Sequence, residues 1–433
     1  MKIATAVLAA LLPASLLAEF SVLECARLVD PQAREVRQDQ LVLIDADRIV
    51  TVGSAADIDD ELESRGAGAV SVRRHTLSTC LPGLMDMHVH LRHQNSPDHY
   101  LKRFVRSEAD SALIAAHFAR ITLDAGFTTV RDLGDGQFET VALRNAIDQG
   151  MAQGPRIYAV GKSIGTTGGH ADPTNGYRPE LMGDPGPNEG VINSPEDARK
   201  AVRYRYKRGA DYIKITATGG VLSLAKSGQN PQFTQEEANA IVATAREYGM
   251  GIAAHAHGAE GMKRAVLAGV SSIEHGTFMT PEIMELMKSR GTFFVPTLLA
   301  GKFVGEKARV DGYFPEVVRP KAAAIGPQMR ETVAQAIEAG VPIAFGTDSG
   351  VSAHGDNAQE FALLVEAGLS TMDAIRTATT HAAQLLGEEE RLGRIAPGYF
   401  ADIVAVDGDP LEDITELERV RWVIKGGDVI RKP

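Results

Sequence analysis

The chain has 433 residues, 44% of them hydrophobic and 23% charged, with a formal net charge of -11. That is ordinary globular composition, with room for a barrel of about 250 residues and a smaller module beside it. The acidic balance argues against a nucleic-acid partner, because phosphate binding needs a basic surface.

The first residues, MKIATAVLAALLPASLLAEF, carry one lysine and then an apolar run too short to span a bilayer. Residues 1–18 read as a secretory signal peptide, cut after Ala18, although Leu16 then occupies a position that prefers a small side chain. The alternative is a buried first strand or helix. No other stretch is apolar for the roughly 18 residues a membrane span needs. The expected location is therefore secreted or periplasmic, with no membrane partner once the signal is removed. Export permits a disulfide, but Cys25 and Cys80 are read as a pair of free, buried thiols.

From residue 19 to 78 the pattern is short and strand-like: Phe20 to Leu23, Gln40 to Ile44 and Arg48 to Val52 are apolar or alternating stretches broken by Asp, Gly and Ser. Then β-branched runs begin to alternate with helical segments. The runs are Cys80 to His90, Thr128 to Leu133, Arg156 to Gly161, Tyr212 to Ala217, Gly251 to His257, Ser271 to His275, Thr292 to Thr297 and Pro342 to Thr347. Helices are expected over Ser107 to Ala125, Ser194 to Arg208, Gln235 to Tyr248, Gly258 to Ala268 and Pro281 to Ser289. Glycine at 126, 209, 249, 269, 291 and 340 supplies the stop signal expected past a helix C-terminus. Eight such units imply a (β/α)8 TIM barrel over 79–390. The long Gly/Pro-rich excursion from Gly161 to Asn193 reads as a functional loop. After a helical stretch, Thr371 to Leu386, strands return at Asp402 to Asp407, Val420 to Ile424 and Val429 to Arg431. The two chain ends, 19–78 and 391–433, are thus expected to build one small flanking β-sandwich.

The chemistry starts at Asp86-Met87-His88-Val89-His90. Residues two apart on a strand share a face, so His88 and His90 project together at the C-terminal mouth, where barrel active sites sit. Alone, an H-x-H pair is weak. His255 and His257 end the fifth strand, however, His275 ends the sixth, and Asp348 follows the eighth in Gly346-Thr347-Asp348-Ser349-Gly350. Converging histidines and a carboxylate have the composition of a catalytic zinc site. Lys214 lies inside the apolar fourth strand, where a cation is costly unless its charge is paired or removed. One resolution is an ion pair with an acid such as Asp348.

The DMHVH strand end, the single strand lysine, the later histidines, GTDSG and the tail Gly393 to Val404 (GRIAPGYFADIV) together resemble the amidohydrolase superfamily. The likeness is to its prolidase-like and carboxypeptidase-like branch, which includes ochratoxin-hydrolysing amidases. The resemblance implies two divalent metal ions, most naturally zinc. His88, His90 and Asp348 would hold one and His255 and His275 the other. Lys214, carboxylated on its amine, would bridge them, which replaces a costly interior cation. It also implies a bridging hydroxide as nucleophile. Asp348 would pass the proton to the leaving nitrogen, and His257 would stabilise the oxyanion. His170, in the loop after strand three, would bind a substrate carboxylate. Val221 stands where some peptidase relatives place a tyrosine, and His93 is a further substrate contact near the mouth. His381 reads as structural, His75, His99 and His117 as surface or supporting residues, and His354 is left open.

The expected function is hydrolysis of the amide bond of N-acyl amino acids or dipeptides, an ochratoxin-like amide among them. The expected partners are that small molecule and further copies of the same chain. The alternatives are a cyclic-amide hydrolase of the imidazolonepropionase type, a deaminase that would not need Lys214, and a non-catalytic metal-binding extracellular protein.

Overall fold

The computed structural model describes residues 20–66, 72–224 and 227–433; the expected signal peptide lies outside them. The chain opens with β1 (Phe20–Asp30), β2 (Glu35–Asp45), β3 (Arg48–Gly53) and β4 (Val72–Pro82). The middle contributes β5 (Leu84–Val89), β6 (Phe127–Asp132), β7 (Arg156–Ala159), β8 (Gly165–Thr166), β9 (Val191–Ile192), β10 (Tyr212–Thr216), β11 (Gly251–Ala256), β12 (Ser272–His275) and β13 (Phe293–Val295). The chain ends with β14 (Ile403–Val406), β15 (Trp422–Lys425) and β16 (Asp428–Arg431).

The two ends do meet. Among the described residues they form one seven-stranded sheet, in the order β16-β15-β14-β4-β1-β2-β3. The flanking unit expected from the two ends is thus one hydrogen-bonded sheet, in which β14 pairs directly with β4. Cys25 on β1 and Cys80 on β4 are joined in a disulfide, with Cα atoms 5.8 Å apart. This corrects the reading of two free thiols. Parallel pairing of β1 with β4 sets Leu28 beside Cys80 and Cys25 beside Leu77. The 5.8 Å separation lies within disulfide reach, and two cysteines 55 residues apart in sequence give no hint of it.

The predicted run Cys80 to His90 is not one strand. It breaks at Gly83, where a Cβ would stand 2.2 Å from Thr128 Oγ1. Only glycine lets the chain pass there from the flanking sheet into the catalytic half. Strands β5-β6-β7 and β10-β11-β12-β13 form two parallel sheets. Parallel bridges join Ile164 to Ile215, Phe294 to Ile343 and Val89 to Ser349. Residues 342–347 therefore run between β13 and β5, with Phe294 N–H donating to Pro342 O and Met87 N–H to Phe345 O. The fold is a TIM-barrel-like α/β unit with a flanking sheet.

The expected helices form, over Glu108–Asp124, Pro195–Lys207, Gln235–Glu247, Ala259–Ala268 and Pro281–Arg290. All six glycine stops have positive φ, from 67° to 99°, a conformation that favours glycine. Thr371 to Leu386 divides into Thr371–Thr377 and Thr380–Leu386. Several further helices were not expected from the sequence, among them Leu298–Lys307 and Arg319–Ala339; the second carries Pro327 in its interior. Among the described residues no helix is long and apolar enough to cross a membrane.

Candidate metal centre and active-site cavity

One cavity of about 290 Å³ opens where β5, β10, β11 and β12 end. All ten side chains expected from the sequence line it: His88, His90, His93, His170, Lys214, Val221, His255, His257, His275 and Asp348. His99, expected as a surface or supporting residue, lines it as well. His381 does not; its Nδ1 lies 2.9 Å from Ile343 O, beside the eighth run. His354 Nε2 donates to His93 O at 3.0 Å and so supports a loop that frames the mouth.

The floor is built by strand ends. His88 and His90 leave β5 on one face, as their spacing requires, and Asp348 Oδ1 lies 3.4 Å from His88 Nε2 and 3.3 Å from His90 Nε2. One donor atom from each of these three residues falls within 4.8 Å of the others, a grouping that can hold a metal ion. His275 adds a ring whose centroid is 5.0 Å from that of His88, and His255 stands 4.7 Å from His275. Lys214 Nζ is 3.4 Å from His88 Nε2. Among the described residues no ion pair joins it to Asp348, so the pairing considered from the sequence is not the one adopted. Burial pushes the Lys214 ammonium down to about 8, despite the opposing pull of Glu274 and Asp348.

The outer nitrogen of each histidine has a fixed partner, and a partner that can only accept selects the tautomer. The carbonyl of Gly134 can only accept, so His90 carries its proton on Nδ1, 3.1 Å away, and leaves Nε2 with a lone pair. The Glu274 carboxylate does the same for His88, with Nδ1 at 2.9 Å. Thr297 Oγ1 lies 2.8 Å from His275 Nδ1. His255 is reversed: Nε2 faces Gly219 O at 3.1 Å, which leaves Nδ1 as the basic nitrogen. Burial pushes His255 and His275 well below the ordinary value, and His88 goes down to about 4, by burial first and Lys214 second. For His90 the pull of Asp348 and Asp132 outweighs burial and raises the imidazole. Asp348 is also buried, yet His88 and His90 outweigh that penalty and keep its carboxyl below the ordinary value.

Sequence reasoning missed two partners of this floor. Asp86 accepts from the His88 N–H at 3.0 Å, Thr347 Oγ1 at 2.6 Å and Asn357 Nδ2 at 2.8 Å. It ties the HVH turn to the loop bearing Asp348, and its position two residues before His88, on the same face, was the available signal. Glu274 and Arg131 form a buried ion pair with Oε1 and Nη2 2.9 Å apart. Burial raises the Glu274 carboxyl, but Arg131 and His88 more than offset this and bring it to about 2.

Above the floor the walls differ. His257 rests with Nδ1 2.7 Å from Thr277 Oγ1, and burial pushes its imidazole down to about 3. His170 stacks on His255 with centroids 4.4 Å apart; its Nδ1 is buried and has no hydrogen-bond partner among the described residues. The mouth is lined by apolar side chains, Val221, Leu224, Val304, Phe314, Ile325 and Met329. Polar groups from Asn95, Ser96, Asp172 and Asn175 line it as well.

Similarity to known proteins agrees with this geometry. The Amidohydrolase family profile matches residues 79–430. Ochratoxinase from Aspergillus niger is 31% identical over 441 residues, covering 96% of this chain and 88% of that protein. A Xaa-Pro dipeptidase crystallised with methionine in its active site superposes with a TM-score of 0.88 at 47% identity, covering 95% of this chain and 100% of the other. A prolidase complexed with N-methylphosphonate-L-proline superposes with a TM-score of 0.84 at 31% identity, covering 96% and 100%. A match this long, on a chain whose strand ends converge as these do, means that the protein belongs to the amidohydrolase family, in its prolidase-like branch, and is a hydrolase acting on C–N bonds.

Proposed function

We propose that the protein is a two-metal amidase or dipeptidase that cleaves the amide bond of N-acyl amino acids or dipeptides. The observation that carries this reading is the tautomer pattern of the floor. His88 and His90 keep Nε2 basic, His255 keeps Nδ1 basic, His275 is held at Nδ1 by Thr297 Oγ1, and Asp348 adds an anionic oxygen. Neutral imidazoles and one carboxylate are the donor set of a zinc hydrolase, so the residues fit the group. His88, His90 and Asp348 would hold one ion, His255 and His275 the other. Lys214, once carboxylated, would serve both. When bound, the ions supply an acidified water and Lewis acidity toward the amide carbonyl.

The chain's own residues do the rest. Asp348 takes the proton from the attacking water and returns it to the leaving nitrogen, without which an amide nitrogen departs poorly. Thr277 Oγ1 holds His257 at Nδ1, and Nε2 would face the developing oxyanion as its donor. His170 and His93 contact the polar end of the substrate, and Val221 belongs to the wall that receives its apolar part. This reading takes the two parallel sheets and residues 342–347 as one closed (β/α)8 barrel, which the three connecting bridges support. Export to an oxidising compartment belongs to it too, supported by the Cys25–Cys80 bond.

The test is a panel of Xaa-Pro dipeptides, other dipeptides and N-aroyl amino acids assayed with zinc-loaded protein and with Asp348→Asn. At least one class should turn over, and Asp348→Asn should lose about 10²–10⁴-fold in kcat. Full activity in that variant would refute the role of Asp348. Silence across the panel would refute the substrate class.

A further inference from the structure

Two fully buried charges lie beside the cavity floor, Arg131 on β6 and Glu274 on β12, each 0% exposed. Taking such a pair out of water costs several kcal/mol per ion, and an apolar pair of similar volume often serves a core as well or better. Stability is therefore a weak account of why charges stand here. Their geometry gives a stronger one. Arg131 donates from Nη2 to Glu274 Oε1 at 2.9 Å and to Ser272 Oγ at 3.1 Å, and from Nε to Met87 O at 2.8 Å. The guanidinium thus clamps β12 to β5 and fixes one oxygen of Glu274. The other oxygen accepts from His88 Nδ1 at 2.9 Å.

The remaining floor histidines have neutral partners at their outer nitrogens: Gly134 O, Gly219 O and Thr297 Oγ1. Among the described residues, His88 alone of the four has a carboxylate there. A carboxylate requires the proton on Nδ1, stops the ring from turning, and makes Nε2 a stronger donor to a cation. We propose that Glu274 is a positioning residue for the candidate metal centre. Clamped by Arg131, it fixes the tautomer and ring of His88 and strengthens Nε2 as a ligand. The inference rests on the metal reading above and adds to it the residue that tunes the first ligand.

The experiment is titration of chelator-stripped protein with zinc alone, followed by affinity and by the Tm of the apo form. Glu274→Gln keeps an acceptor but loses the charge, and should bind zinc about tenfold more weakly. Glu274→Leu loses both and should bind about 100-fold more weakly. Arg131→Gln combined with Glu274→Gln removes the charge imbalance that either change alone would leave. It should regain apo Tm relative to Glu274→Gln while its zinc affinity stays down. Zinc affinity of Glu274→Leu within about twofold of wild type overturns the proposal. So does recovery of wild-type zinc affinity together with Tm in the double variant, since Glu274 would then act only as a partner for Arg131. Wild-type protein that takes up no zinc sinks the metal reading itself and this inference with it.

Discussion

The imidazole of His170 rests against the backbone of Gly220. A Cβ on that glycine would stand 2.2 Å from the ring Cε1 and 2.3 Å from Nδ1. The residue before Val221 is thus a seat for the loop histidine. Gly220→Ala should fold and bind metal normally, yet displace His170 and lower kcat/KM about tenfold, mostly through KM, if the ring contacts substrate. Steady-state kinetics with a dipeptide substrate check this; unchanged KM would remove His170 from substrate binding. The seat was not legible in the sequence, because it depends on a loop crossing back over the end of β10. His88 and His90 were legible, because i, i+2 spacing on a strand fixes a shared face. Glu274 was not. Strand alternation places it opposite its neighbour His275, but His275 adopts φ 70°. That left-handed turn lets the chain present both side chains to the floor, and no periodicity announces it.

At the scale of elements, the helix Leu298–Lys307 supplies Ala300, Gly301 and Val304 to the cavity wall. It has no side-chain cap of its own and begins after Thr297 at φ 56°. Its first two N–H groups donate instead to the buried carboxylate of Glu360, Leu298 to Oε1 at 2.9 Å and Leu299 to Oε2 at 2.6 Å. A cap delivered from another helix carries no local S-x-x-E signature, which is one reason the sequence did not show this helix; Gly301 and Gly305 in its short run are another. Glu360→Ala should cost about 1–3 kcal/mol by leaving buried donors unpaired, and raise KM by loosening the wall. Burial pushes the Glu360 carboxyl well above its ordinary 4.5, and the two N–H donors offset only part of this. Folding therefore favours the protonated form. From about pH 4.5 upward the folded state holds more proton than the unfolded one, so this group's contribution to stability falls as pH rises, by at most about 1.4 kcal/mol per unit. In chelator-stripped protein, Glu360→Gln should flatten that slope between pH 5 and 7. An unchanged slope would assign it elsewhere.

For the whole molecule, the alternation of β-branched runs with glycine-stopped helices made the barrel-like half legible, and the likeness of the two ends predicted their union. The sheet they form runs directly into the catalytic half through Gly83, so β4 and β5 are nearly one strand, and β5 carries His88 and His90. The question is whether the disulfide that staples β1 to β4 also holds the site. By loop-closure entropy alone, a cross-link over 55 residues is worth about 4 kcal/mol. Both cysteines are buried in the flanking sheet's own core, with Leu23, Val42, Ile49 and Ile403, away from the cavity lining. The site end of β5 has independent ties: Met87 N–H to Phe345 O at 2.9 Å, His90 N–H to Ser349 O at 2.7 Å, and the Asp86 contacts with Thr347 and Asn357. Cys25→Ala with Cys80→Ala, or reduction of the wild type, should therefore lower Tm by about 1 °C for each kcal/mol lost, because the unfolding entropy of a chain this long is large. At temperatures below the new Tm, kcat/KM and zinc affinity should stay at wild-type values. A fall in zinc affinity while the chain remains folded would show that the staple acts through Gly83 on β5, and that the flanking sheet positions the metal ligands as well as burying the chain ends.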